Sequence, residues 1–152
     1  MFFRARRDGT IQLHLDFVVR DVVSRACSEL RQSLEAESVD PELRRLFPVA
    51  YTDDPERERA YEQLVRDDLV NSRVVALDTV VATVNDDSID AEQAQRWMTA
   101  LNSLRLALGT KLDVSEDRDP TEIDEDDPRL PQFLVYDLLS VMLGSLVAVL
   151  SP

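Results

Sequence analysis

Apolar residues along this chain fall into stripes of helical period separated by short polar breaks. Between Asp16 and Ala36 they recur at Val19, Val22, Val23, Ala26, Leu30 and Leu34, a three-and-four spacing that puts them on one helical face. Asp40-Pro41 combines an N-cap oxygen with a proline at the first helical position, where its missing N–H costs nothing, and predicts a short helix over 41–46 stopped by Pro48. The same signal at Asp54-Pro55 opens a long stripe through Tyr61, Leu64, Val65, Leu69, Leu77, Val80, Val81 and Val84. Asn71 and Ser72 interrupt it with side chains that compete for backbone hydrogen bonds, so a bend is expected there.

Asp90 and Gln93 form a capping box ahead of Ala94, Trp97, Met98, Leu101, Leu104 and Leu108, and Gly109 stands where a left-handed C-cap is wanted. Before the first helix, residues 2–13 alternate weakly around Arg7-Asp8-Gly9-Thr10, and Asp-Gly suits a two-residue hairpin turn. Such a hairpin is marginal alone, so Phe3, Ile11 and Leu13 should rest on the helices. The pattern therefore predicts one all-α domain over 1–152, a bundle of about four to five helices with a small N-terminal β-hairpin over 1–14.

Two segments near the end stand apart. Residues 113–127 carry nine carboxylates against one arginine, Arg118, and 113–131 reads as a mobile acidic loop. Residues 132–150 are apolar nearly all round, with Leu134, Leu138, Leu139, Met142, Leu146 and Val147 and a single charge, Asp137. Their 19 residues have the length of a membrane anchor, but no basic residue flanks them and the bundle needs a helix to close its core. A core helix is expected.

Charge and composition then narrow the chemistry. With 30 acidic residues, 17 Lys and Arg, and a formal charge of −13, direct contact with nucleic acid is not expected. His14 is the only histidine and Cys27 the only cysteine, which removes Ser-His-Asp and Cys-His constellations, Cys-based zinc sites and an internal disulfide. The acidic run lacks the glycine and ligand spacing of a helix-loop-helix calcium site. No catalytic residue, metal or cofactor is expected, and the absence of an export signal points to the cytoplasm. On helix one, Arg25 and Arg31 would lower the Cys27 pKa and Glu29 would oppose them, leaving a small packed thiol as the expected state.

Two polar groups remain as candidate sites. Arg44, Arg45 and Tyr51 around Pro48 form a basic and aromatic feature of the composition found at interface hot spots, and are expected to bind a protein partner. Asp137 needs a partner if buried, and Arg105, beside Asn102 one turn earlier, is the expected one.

Three clusters resemble a known family: Asp40-Pro41-Glu42-Leu43-Arg44-Arg45-Leu46-Phe47-Pro48-Val49-Ala50-Tyr51 with Asp54-Pro55; Trp97 with Leu101-Asn102-Ser103-Leu104-Arg105-Leu106-Ala107-Leu108-Gly109; and Val135-Tyr136-Asp137-Leu138-Leu139. With the opening Phe3-Arg4-Ala5-Arg6-Arg7-Asp8-Gly9, they are similar, in order, to the actinobacterial family of domain of unknown function 2017. The resemblance implies a small cytoplasmic bacterial protein without an established activity, often encoded near the adaptor of the Clp protease, and no catalytic residues to carry over. Gly144 departs from it, as a polar residue is expected there, and a single cysteine puts a disulfide switch in doubt.

The leading expectation is a regulator or adaptor that binds protein, with a second copy of the chain as a further candidate partner. Alternatives are a transcription or stress regulator acting through a polymerase or sigma-factor contact, and a small-ligand enzyme using Arg45, Asn102, Arg105 and Asp137.

Overall fold

A computed structural model describes residues 2–35, 46, 53–114 and 124–151, with the backbone alone for 62–66. Among these residues, seven elements follow in the order β1 (Phe3–Ala5), β2 (Ile11–Leu13), α1 (Phe17–Glu35), α2 (Pro55–Thr83), β3 (Ser88–Ile89), α3 (Ala91–Lys111) and α4 (Leu130–Leu150). The fold is mainly α with a small antiparallel sheet at its N-terminal end.

The hairpin forms, but its loop is three residues, Arg7-Asp8-Gly9, not the two-residue turn expected: Arg6 N donates to Thr10 O (2.9 Å) and Gly9 N to Arg6 O (3.2 Å). Gly9 takes φ +89°, a conformation glycine adopts at no steric cost, and Asp8 Oδ1 accepts hydrogen bonds from the Thr10 N–H (3.0 Å) and hydroxyl (2.6 Å). Phe3 pairs with Leu13 and Ala5 with Ile11, so Phe3, Ile11 and Leu13 share the buried face. The sheet has a third strand that the sequence did not announce. Ile11 pairs with Ile89 and Gln12 with Ser88, and two residues are too short a run to show alternation.

Helices α1, α2 and α3 start beside a side-chain cap, whereas Arg129 at the start of α4 makes no side-chain cap bond. Asp16 Oδ1 accepts from Val19 N (2.8 Å) and Asp54 Oδ1 from Arg57 N (3.2 Å). The capping box of α3 is complete: Gln93 N donates to Asp90 Oδ1 (2.7 Å), and Asp90 N to Gln93 Oε1 (2.9 Å). Helix α2 runs unbroken through Asn71 and Ser72, where a bend was expected. Both side chains are exposed, where water satisfies them without disturbing the helix.

Gly109 is not the cap of α3. The helix runs to Lys111, and Asp113 takes the left-handed conformation instead (φ 53°). Asp113 N donates to Thr110 O (3.1 Å) and Val114 N to Gly109 O (2.9 Å), the paired bonds of a Schellman ending. Hydrophobic contact decides the register: Val114, Leu112 and Phe133 form a small buried cluster with Leu108 against it. Val114 is therefore a fixed part of the body, at the start of the segment expected to be a mobile acidic loop; residues 115–123 lie outside the described residues.

One cluster of buried residues draws on every element, from Phe3 and Leu13 through Val23, Leu77, Val80, Ile89, Trp97 and Leu101 to Leu139, Met142 and Leu146. Leu46 belongs to it at 1% exposure, while the rest of the expected helix over 41–46 lies outside the described residues. In space α3 is the centre, packed against α2 on one side and α4 on the other, with α1 against α2. Helix α4, expected over 132–150 as a core helix, gives one side to the core. Phe133, Leu139, Met142 and Leu146 are buried, but Leu134 (59%), Val141 (60%) and Val147 (44%) face outward. By length and composition, α4 is apolar enough to cross a bilayer.

Candidate binding groove

Helices α1 and α4 flank α3 without closing against each other, and the seam between them is a groove of about 380 Å³. Its apolar lining comes from Val22, Ala26 and Leu30 of α1, Leu104 and Leu108 of α3, and Val135 of α4. This volume and lining match sites that take small ligands or the apolar face of a helix. Arg25 and Lys111 stand on the rim. Arg25 is engaged by Asp21 (3.1 Å), whereas Lys111, in the last turn of α3, makes no ion pair among the described residues.

The sequence pointed elsewhere. Arg44, Arg45 and Tyr51 lie outside the described residues. Asn102, Arg105 and Asp137 are described. Asn102 is exposed, and no hydrogen bond or ion pair joins Arg105 to Asp137 among the described residues. Arg105 Nε is left buried without a hydrogen-bond partner among the described residues.

Two polar anchors went unnoticed in the sequence. Arg20 donates through Nε to Leu15 O (2.8 Å) and through Nη1 to Val84 O and to Asp86 O (3.1 Å). One guanidinium thus ties the start of α1 to the C-terminal end of α2, where free carbonyls and the helix dipole favour a cation. Deeper, Trp97 Nε1 donates to Thr83 Oγ1 (2.8 Å), whose own proton goes to Thr79 O (2.7 Å). Phe3 meets the Trp97 ring edge to face, with centroids 5.8 Å apart and planes at 80°. An arginine one turn into an apolar stripe, and a threonine between Val80 and Val84, were the available signals.

Cys27 is fully buried, and burial, with the Asp78 charge second, pushes its pKa up to about 12. Arg31, which could have lowered it, is taken by Asp78 across the α1–α2 seam (Nε to Oδ1, 2.7 Å). The thiol is therefore protonated and inert at neutral pH. The ordinary value is 9.0, so the neutral-thiol contribution is complete below about pH 9 and is lost as pH rises towards 12, when only the unfolded chain ionises freely. Stability should fall by about 1.4 kcal/mol per pH unit in that window beyond any fall in Cys27→Ala, as read by urea melts. Equal slopes for the two proteins would show that the thiol does not report on folding.

The model of the family described as domain of unknown function (DUF2017) matches residues 2–150. Proteins named oxidative stress regulator AosR, from Mycobacterium bovis and from two strains of Mycobacterium tuberculosis, are each 32% identical to it over a 128-residue alignment. That alignment covers 73% of this chain, and the chain spans 58% of the length of these curated relatives. No solved structure matches at a significant level. The match runs over almost the whole length, as the three clusters and the opening block implied, and the chain belongs to the DUF2017 family.

Proposed function

We propose that the chain is a cytoplasmic regulator without catalysis of its own, which works by docking a protein segment in the α1–α3–α4 groove. The observation that carries this reading is the groove itself: an apolar trough between helices, with Lys111 unengaged among the described residues at one end. An amphipathic helix with aliphatic side chains at three-and-four spacing fits such a trough, and a carboxylate on it would reach Lys111. The name of the mycobacterial relatives supports regulation over metabolism. If the pathway is oxidative stress, the buried state of Cys27 favours a chain that transmits the signal by contact over one that senses it by thiol oxidation.

The charge of −13 supports a second reading, in which the acidic exterior opposes a basic, nucleic-acid-binding surface on a polymerase or sigma subunit. The two differ in salt dependence, steep for the exterior and shallow for the groove.

Crosslinked capture from the native cell tests the proposal, comparing the wild-type chain with Ala26→Trp, which fills the groove, and Lys111→Glu, which reverses its rim. Recovery of a specific partner should fall at least about tenfold with Ala26→Trp and severalfold with Lys111→Glu, at unchanged circular dichroism. Unchanged recovery of every partner by both variants would refute the groove as the docking site.

A further inference from the structure

If the α1–α3–α4 groove is the docking site, as proposed above, its walls and rim also specify what docks. We infer that the occupant is an amphipathic helix of two to three turns whose N-terminus lies at Lys111, with a carboxylate in that first turn and a basic residue further along, opposite Glu29. Length, direction and charge order follow from different features of the groove.

The walls set the length. At a rise of about 1.5 Å per residue, the α3 wall from Leu104 to Lys111 spans about 10 Å, the α4 wall from Pro131 to Leu139 about 12 Å, and the α1 wall from Val22 to Ser33 about 16 Å. Two to three turns of helix cover that distance, which allows apolar anchors at i, i+3 or i+4, and i+7. So short a helix is marginal in water, so the segment orders as it binds, and its affinity depends partly on its own helix propensity.

The rim sets the charge order. Two of its charges have no ion pair among the described residues: Lys111 in the last turn of α3, and Glu29 on the α1 wall. Arg25, one turn before Glu29 on the same row, is held by Asp21 instead. Helix α1 is antiparallel to α2, because Arg31 meets Asp78 while Arg20 reaches Val84 and Asp86. A short connection then folds α3 back along α2, with Trp97 bonded to Thr83. Helices α1 and α3 therefore run the same way, and their C-terminal ends lie at the Lys111 end of the groove. Glu29 stands further along, on the side of Val22.

Direction follows from the dipole of the occupant. Acids stabilise the first turn of a helix and bases its last, and Glu ahead of Lys is the better order. The rim asks for an acid at Lys111 and a base at Glu29, so both demands are met only when the docked helix starts at Lys111. It then runs antiparallel to α1 and α3, with its N-terminus beside the C-terminal ends of both, where the dipoles attract.

A synthetic peptide of about twelve residues tests this, with leucines at three-and-four spacing, glutamates in its first turn and lysines further on. Followed by fluorescence anisotropy in about 0.15 M salt, it should bind the full chain, and lose at least about threefold in affinity to Lys111→Gln or to Glu29→Gln. Both residues are exposed, so circular dichroism should not change. A second peptide, with glutamine in place of its glutamates, should bind more weakly and be indifferent to Lys111→Gln. Crosslinking reads the direction. Gln132→Cys, at the Lys111 end, should form a mixed disulfide faster with a cysteine at the peptide's N-terminus than with one at its C-terminus, while Cys27 stays buried. Faster reaction of the C-terminal cysteine would overturn the direction. Binding that ignores both glutamine substitutions but is lost in Ala26→Trp would overturn the charge order and leave the groove as the docking site. No binding would overturn the occupant, the groove then resting on capture from the cell. Binding unchanged in Ala26→Trp would remove the groove and this inference together.

Discussion

Replacing Trp97 by alanine should cost about 3–5 kcal/mol, a large part of the about 5–15 kcal/mol that holds a domain of this size together. The ring is wholly buried, packs against Phe3 of the sheet, and bonds Thr83 at the end of α2, so one side chain joins three elements. Its removal leaves a cavity and strands the Thr83 hydroxyl on one partner. Thr83→Val keeps the volume but leaves the indole N–H unpaired in the core, for an expected loss of about 1–3 kcal/mol. Urea unfolding followed by circular dichroism measures both. If the Trp97–Thr83 bond carries energy, the Trp97→Phe/Thr83→Val double variant should lose less than the sum of the singles. Strict additivity would deny the bond any energetic role.

The second large effect is expected at Arg20, with a loss of about 3 kcal/mol on change to alanine, because charge-assisted hydrogen bonds contribute about 1.5–3 kcal/mol each and three share one guanidinium. Arg20→Lys should restore less than half, since a single ammonium cannot spread over three carbonyls as the planar fork does. Hydrogen exchange locates the damage: amides of 84–89 should lose protection before those in the middle of α2. A change within about 0.5 kcal/mol, typical of an ordinary surface site, would show that water replaces the clamp without penalty.

The helices were legible because their start signals are local. Asp54-Pro55 and the Asp90–Gln93 box act within four residues, and each marks a helix that begins beside it. The hairpin was legible for the same reason, through Asp8-Gly9. What the sequence concealed depends on where helices meet. The ending of α3 was misplaced because Val114 packs on Leu108, a contact worth more than the local preference of Gly109 for the left-handed region. The groove was invisible for a related reason. Val22, Ala26 and Leu30 form part of an ordinary amphipathic stripe, and only the positions of α3 and α4 show that the far edge of this stripe has no helix against it.

The sheet also sets a timetable. β1 is made early in synthesis, yet it packs against α4, and β2 takes its second neighbour from β3, more than seventy residues downstream. On the ribosome, Phe3, Ile11 and Leu13 must therefore wait, uncovered, until most of the polypeptide has emerged. Long-range closure of this kind slows folding relative to a purely local bundle. A nascent chain arrested before α4 leaves the exit tunnel should bind chaperones and be cut readily by protease, and release of that last helix should end both.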